Sequence, residues 1–172
     1  MTAEDLAELD AVAARTILDR GETVAVAESL TGGLVSALLV EQPGISTVFL
    51  GSIVSYTNDV KARVLGVDQG LLETVGPVDG QVAVQMAGGV ATLTGASRAV
   101  STTGVAGPGG SDGYEAGTVW IGRENGFAYS FLFPGTRTNI RNYSATVALS
   151  ILAGIELPQE LAQYQRLTKS WK

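Results

Sequence analysis

Thr23-Val24-Ala25-Val26-Ala27-Glu28-Ser29-Leu30-Thr31-Gly32-Gly33-Leu34-Val35-Ser36-Ala37-Leu38-Leu39-Val40 changes character in mid-course. Its first five residues form a short β-branched apolar run, which reads as a strand, and Leu34 to Val40 reads as a helix that ends before Pro43-Gly44. Between them the chain turns at Ser29-Leu30-Thr31-Gly32-Gly33. A helix start carries unpaired N–H groups and the positive end of the helix dipole, so a hydroxyl there can work beside ready-made stabilisation for an anion. Ser and Thr are also common helix caps, and the hexapeptide Glu28 to Gly33 by itself leaves capping and catalysis both open for Ser29 and Thr31.

Outward from this unit, helices and strands alternate. Residues 3–20 place Leu6, Leu9, Val12, Ala13, Ile17 and Leu18 at helical spacing, and Gly21 supplies a stop. Thr47 to Tyr56 is strand-like and ends in Thr57-Asn58-Asp59, with Asn58 expected to cap a helix carrying Lys61 and Leu65. A helix over Val82 to Leu93 precedes a strand over Arg98 to Thr102, which runs into Gly104-Val105-Ala106-Gly107-Pro108-Gly109-Gly110. Gly117 to Arg123 and Phe127 to Phe133 flank Asn125-Gly126, a strong hairpin signal. A last helix is predicted over 137–153, and the polar tail from about Glu156 reads as a short helix or a loose end. The alternation predicts a single three-layer α/β/α domain over 1–172 with a mixed sheet.

Composition narrows the chemistry. The 172 residues, 45% of them hydrophobic, are enough to bury a core of roughly two-thirds of the unfolded surface without a staple. No apolar run approaches a membrane span, and Met1 to Asp10 is acidic rather than signal-like, so a cytoplasmic protein with no membrane partner is expected. There is no cysteine and no histidine. Thiol catalysis, Ser-His-Asp triads and the usual zinc sites are thereby excluded, and acid–base work falls to Asp, Glu, Lys or Tyr. A net charge of -6 with 11 basic residues argues against a nucleic-acid footprint and for a small-molecule ligand.

A serine nucleophile then needs lysine or tyrosine to take its proton. Of Lys61, Lys169 and Lys172, the last two sit in the polar tail. Lys61 comes after Tyr56 across a second strand-to-helix junction, and strand ends are where α/β sheets build sites. A solvated Lys61 with Tyr56 at the core edge is the plainer alternative. To act as a base, Lys61 must fall from about 10.4 toward 7 to 8, about 4 kcal/mol of differential stabilisation. The glycine segment after Thr102-Thr103 can cradle a phosphate or carboxylate with its amides or serve as a structural turn, and it matches neither a P-loop nor a dinucleotide fingerprint. Arg137 and Arg141 share a face of the last helix from which both can reach an anionic ligand, with solvation the plainer reading for Arg137. Asp112 and Glu115 are expected to face water.

Taken together, Ala27-Glu28-Ser29-Leu30-Thr31-Gly32-Gly33, Tyr56-Thr57-Asn58-Asp59-Val60-Lys61 with Leu65-Gly66-Val67, Thr103-Gly104-Val105-Ala106-Gly107-Pro108-Gly109-Gly110 and Gly117-Thr118-Val119 resemble the CinA C-terminal domain family from about residue 5 to 155. The resemblance is to a stand-alone form of the domain. Members include nicotinamide-mononucleotide deamidases, which yield nicotinate mononucleotide and ammonia in pyridine nucleotide recycling. It therefore implies an amidohydrolase acting on a small nucleotide. Ser29 is its implied nucleophile, with Lys61 and Tyr56 as the catalytic pair beside it. Glu28, Thr31, Gly32, Gly33, Asn58, Thr103, Gly104, Gly107 and Arg141 are the implied substrate-binding set. The amides at Thr31-Gly32-Gly33 are expected to hold the oxyanion. No cofactor or metal is expected, and a homo-oligomer, a dimer first, is. A hydrolase of another amide or phosphorylated metabolite, and a non-catalytic nucleotide-binding module, are the alternatives. Two stretches depart from the family pattern: Gly76-Pro77-Val78-Asp79 replaces Gly-Ala-Val-Ser, and Tyr114-Glu115-Ala116 stands where Lys-Pro-Val often occurs.

Overall fold

The computed structural model describes residues 1–111 and 113–171. Asp112 and Lys172 lie outside the described residues. In chain order the helices are α1 (Ala3–Arg20), α2 (Leu34–Val40), α3 (Asn58–Leu65), α4 (Gln69–Val75), α5 (Gly80–Thr94), α6 (Arg137–Ala153) and α7 (Gln159–Ala162). The strands are β1 (Val24–Glu28), β2 (Phe49–Val54), β3 (Arg98–Gly104), β4 (Thr118–Arg123), β5 (Phe127–Leu132) and β6 (Gln165–Ser170).

They form one sheet in the order β2-β1-β3-β4-β5-β6. β2 and β3 flank β1 in parallel, and β4, β5 and β6 continue as antiparallel neighbours, so the sheet is mixed as expected. β1 is buried along its whole length, which fixes its alternation as two apolar faces rather than one. Val24 and Val26 join a core with α1, α2 and α6, whereas Ala25 and Ala27 join one with α3, α4 and α5. These two helical layers enclose the sheet. Because β1, β2 and β3 run parallel, their C-terminal ends share one edge, and the turns after Glu28, Val54 and Gly104 meet there.

α1 matches its expected span, opened by a Thr2/Asp5 capping box and closed by Gly21 at φ 69°. Two expectations are corrected and one element is added. Thr57, not Asn58, caps α3, since its hydroxyl accepts from the Val60 amide and Asn58 is already helical. The helix expected from Val82 starts at Gly80 behind an Asp79 cap, so the family's serine is replaced by another capping residue. α4, capped by Asp68, is an additional helix in a stretch with no assigned element.

The tail is neither loose nor only helical. α7 leads into β6, which pairs with β5, and Trp171 beyond it packs edge-on to Trp120 at 6.5 Å between ring centroids. Lys169 is exposed with its Nζ 5.8 Å from the Trp120 ring. No described helix is long and apolar enough to cross a membrane.

Candidate active site

The period of β1 decides what happens at its end. Glu28 shares with Val24 and Val26 the face toward α2, and there its buried carboxylate lies under the start of that helix. Its Oε2 accepts from the Thr31 hydroxyl at 2.7 Å, the Gly33 amide at 2.9 Å and the Val35 amide at 3.1 Å. Its Oε1 accepts from the Ser36 amide at 2.9 Å and the Ser36 hydroxyl at 2.6 Å. Gly32 and Gly33 adopt φ of 60° and 96°, a left-handed backbone that lets the chain double back over this carboxylate.

Neither Ser29 nor Thr31 therefore caps α2; Gly33 holds the cap position and Glu28 satisfies the helix start from outside. Glu28 is thus structural rather than substrate-binding, and Thr31 is buried against it and the Thr102 hydroxyl at 2.8 Å. The expected oxyanion donors are corrected too. The Gly33 amide is taken by Glu28 and the Gly32 amide by the Ser29 carbonyl at 3.1 Å. At this turn the amides of Leu30 and Thr31 are the ones with no acceptor among the described residues.

The turn itself is tied into the sheet. Ser29 donates its amide to the Thr102 carbonyl at 3.0 Å, and Ser55 donates to the Glu28 carbonyl at 2.8 Å. α3 then delivers Lys61 across the β2 junction to the same place. Its Nζ lies 3.0 Å from the Ser29 hydroxyl oxygen and donates to the Ser55 carbonyl at 2.8 Å. Lys61 is only 1% exposed and Ser29 9%. Burial disfavours the ammonium form and brings the Lys61 amine from 10.5 down to about 8.

Ser29 and Lys61 open into a cleft of about 290 Å³, also lined by Leu30, Tyr56, Thr103, Arg137 and the loop from Gly104 to Ser111. Thr103 donates its hydroxyl to the Pro77 carbonyl at 2.6 Å, which fastens the Gly76-Pro77-Val78-Asp79 departure to the cleft wall. At Gly104 a Cβ would sit 2.5 Å from the Thr118 carbonyl oxygen, so the close approach of β4 needs glycine.

Tyr56 stands at the rim, 61% exposed, with its hydroxyl accepting from Arg137 Nη2 at 3.0 Å. Lys61 meets Ser29 without it. Arg137 is exposed as expected, yet it also lines the cleft and donates to the Gly107 carbonyl at 2.7 Å. Arg141 instead grips the turn, Nε donating to the Leu30 carbonyl at 3.0 Å and Nη2 to the Thr31 carbonyl at 2.7 Å.

Asn58 is exposed in a separate hollow with Gln69 and Glu73, because as a helical residue it is rotated away from the strand end. Glu115 is exposed outside the cleft lining. Sequence reasoning favoured solvent for Arg137 and missed the capping role of Glu28. The signals were the Thr136 cap, which starts α6 at Arg137, and the two-residue period of β1.

Known proteins share this arrangement of elements. Over 147 residues the chain is 42% identical to a CinA-like protein of Frankia casuarinae, covering 84% of this chain and 34% of that protein. A CinA-like protein of Thermotoga maritima is 41% identical over 148 residues, 84% of this chain and 36% of that protein. The chain spans about a third of the length of the curated relatives it matches. Among solved structures, the competence/damage inducible protein CihA of Agrobacterium tumefaciens superposes with a TM-score of 0.80 at 37% identity, over 87% of this chain and 94% of that one. The competence damage-inducible protein A of Klebsiella pneumoniae gives 0.79 at 31%, over 87% and 95%. With the sequence model of the CinA C-terminal domain matching residues 6–155, the chain belongs to the CinA C-terminal domain family.

Proposed function

We propose that the chain is an amidohydrolase that converts nicotinamide mononucleotide to nicotinate mononucleotide and ammonia through Ser29. The observation that carries this reading is the 3.0 Å contact between the Ser29 hydroxyl and a buried Lys61 whose amine is brought down to about 8. In its neutral form Lys61 accepts the Ser29 proton as Oγ attacks the carboxamide carbon. The ammonium so formed returns that proton to the departing nitrogen, and ammonia leaves an acyl-Ser29. Water then attacks the acyl carbon, Lys61 takes the water's proton, and the acid is released as Ser29 is reprotonated.

The oxyanion falls to the Leu30 and Thr31 amides, which have no acceptor among the described residues at the nucleophile's own turn. One such donor is typically worth about 3 to 4 kcal/mol. Arg141, holding the carbonyls of the same two residues, positions those amides without touching substrate. The nucleotide part of the substrate is supported by the cleft's remaining surface, where the Gly104 to Gly110 loop and Arg137 offer amides and a cation.

Purified protein incubated with nicotinamide mononucleotide is expected to release ammonia and nicotinate mononucleotide in equal amounts, and Ser29→Ala to reduce the rate by roughly a thousandfold or more. Unimpaired turnover by Ser29→Ala overturns the nucleophile. Ammonia from another amide in a substrate panel, and none from the mononucleotide, keeps the chemistry and replaces the substrate.

A further inference from the structure

A second cavity, about 410 Å³, lies between α1, α2 and α6 and shares no lining residue with the Ser29 cleft. Leu6, Leu34 and Leu38 contribute apolar wall, and Asp10 and Glu41 are its charged side chains; among the described residues no lysine or arginine lines it. Asp10 is the anomaly. It is a carboxyl 8% exposed on the buried side of α1, and its Oδ1 has no hydrogen-bond partner among the described residues. That oxygen is closed off from the cavity, so it marks a carboxyl whose charge the fold leaves uncompensated and which a cation in the cavity, lined by the same residue, can offset.

We infer that this cavity is a binding site for a small apolar organic cation, whose ammonium group pairs with Asp10 while its hydrocarbon part rests on Leu6, Leu34 and Leu38. The charge pattern selects the class: apolar walls admit the hydrocarbon, two carboxyl groups with no opposing cation favour an ammonium, and anions are repelled. Burial also raises the Asp10 carboxyl to about 6, with Thr146 pulling the other way, so it is ionised at neutral pH and gains a counter-ion on binding.

Benzylamine, protonated at neutral pH, is a suitable probe, with benzyl alcohol as its neutral counterpart, titrated into the whole 172-residue chain and followed by amide NMR shifts. Benzylamine is expected to perturb residues of α1, α2 and α6 saturably. Benzyl alcohol is expected to bind roughly tenfold more weakly, and Asp10→Asn to weaken benzylamine by a similar factor. Ala7→Trp, at an exposed lining position, fills the mouth without cutting the core and is expected to abolish binding. The inference fails if benzylamine gives no saturable shift at these helices, if alcohol and amine bind equally, or if both variants retain wild-type affinity. It fails as well if sedimentation shows a dimer that Ala7→Trp dissociates, since the occupant of the face is then a second copy of the chain.

Discussion

A lysine buried to 1% exposure beside a hydroxyl is an unusual arrangement for a stable protein, because the ammonium loses its hydration and gains, among the described residues, Ser55 and Ser29 as partners. The fall from 10.5 to about 8 corresponds to about 3 kcal/mol between the two protonation states. The sign comes from proton counts. Between pH 8 and 10.5 the unfolded chain holds the Lys61 proton and the folded chain does not, so folding stability rises with pH across that window and is insensitive to Lys61 below it. In the proposed mechanism the neutral amine is the active form. The kcat/KM for amide hydrolysis is expected to climb about tenfold per pH unit below 8 and level above it. Lys61→Arg, charged throughout, is expected to lose activity at every pH; a profile flat between pH 6 and 9, or an active arginine variant, removes Lys61 as the base. Scarcity brought this pairing into view, and the resemblance at three motifs decided for it. With no histidine or cysteine, and with Lys169 and Lys172 both far along the polar tail, Ser29 at the turn after β1 and Lys61 past the next strand-to-helix junction had few other partners. The roles of Arg137 and Arg141 were not legible, since a four-residue spacing gives a shared face but not the distance along it to a cleft.

Helices position this site by contacts that leave little room for change, and two of them expose the dependence. α2 starts over Glu28, whose two oxygens accept from five donors. In Glu28→Gln either orientation of the amide turns an NH2 against a backbone N–H of Gly33, Val35 or Ser36. The substitution is expected to cost about 2 to 3 kcal/mol in thermal or urea unfolding and to reduce kcat by loosening the Ser29 turn. Unchanged stability in Glu28→Gln means that the network is not holding α2. On the other face, α3 leans on α5 at Gly89, where a Cβ would lie 1.9 Å from the Leu65 carbonyl oxygen. Gly89→Ala is expected to displace α3, and Lys61 with it, relative to Ser29. A loss of roughly 1 to 3 kcal/mol is expected with a fall in kcat/KM, whereas Gly88→Ala, with nothing within 4 Å, leaves both intact or slightly raises stability. Equal behaviour of the two alanine variants rules out this clamp. Such packing glycines are hard to read from sequence, because Gly88-Gly89 in a helix says nothing of which residue meets a neighbour. α4 escaped for a related reason: seven residues with a single buried side chain, Leu72, carry little periodicity.

At the scale of the molecule, the parallel half of the sheet carries the site and the antiparallel half closes the fold. Alternating patterns and the Asn-Gly turn made both halves legible, but the last strand was not, because all six residues of β6 are exposed and none marks a core face. Its pairing is set by β5 on one side and by Trp171 at its end, which donates its amide to the Gly126 carbonyl at 2.8 Å and covers Trp120. Gln165, Arg166, Thr168, Lys169 and Ser170 make it a polar, partly basic edge, the kind that blunts pairing between sheets of different molecules. Removing residues 165–172 uncovers β5, whose residues Phe127 to Leu132 are far more apolar, and strips the cover from Trp120. The truncated chain is expected to unfold at lower temperature and to form larger, concentration-dependent assemblies than the full chain in sedimentation. Its soluble fraction is expected to retain amide hydrolysis, because Ser29 and Lys61 belong to the turn after β1 and to α3, beyond the reach of β6. Identical melting and assembly in the two chains would show that β6 does not protect the edge. Loss of activity in a truncated chain that still melts cooperatively as the full chain does would show that the antiparallel half shapes the site rather than closing the fold.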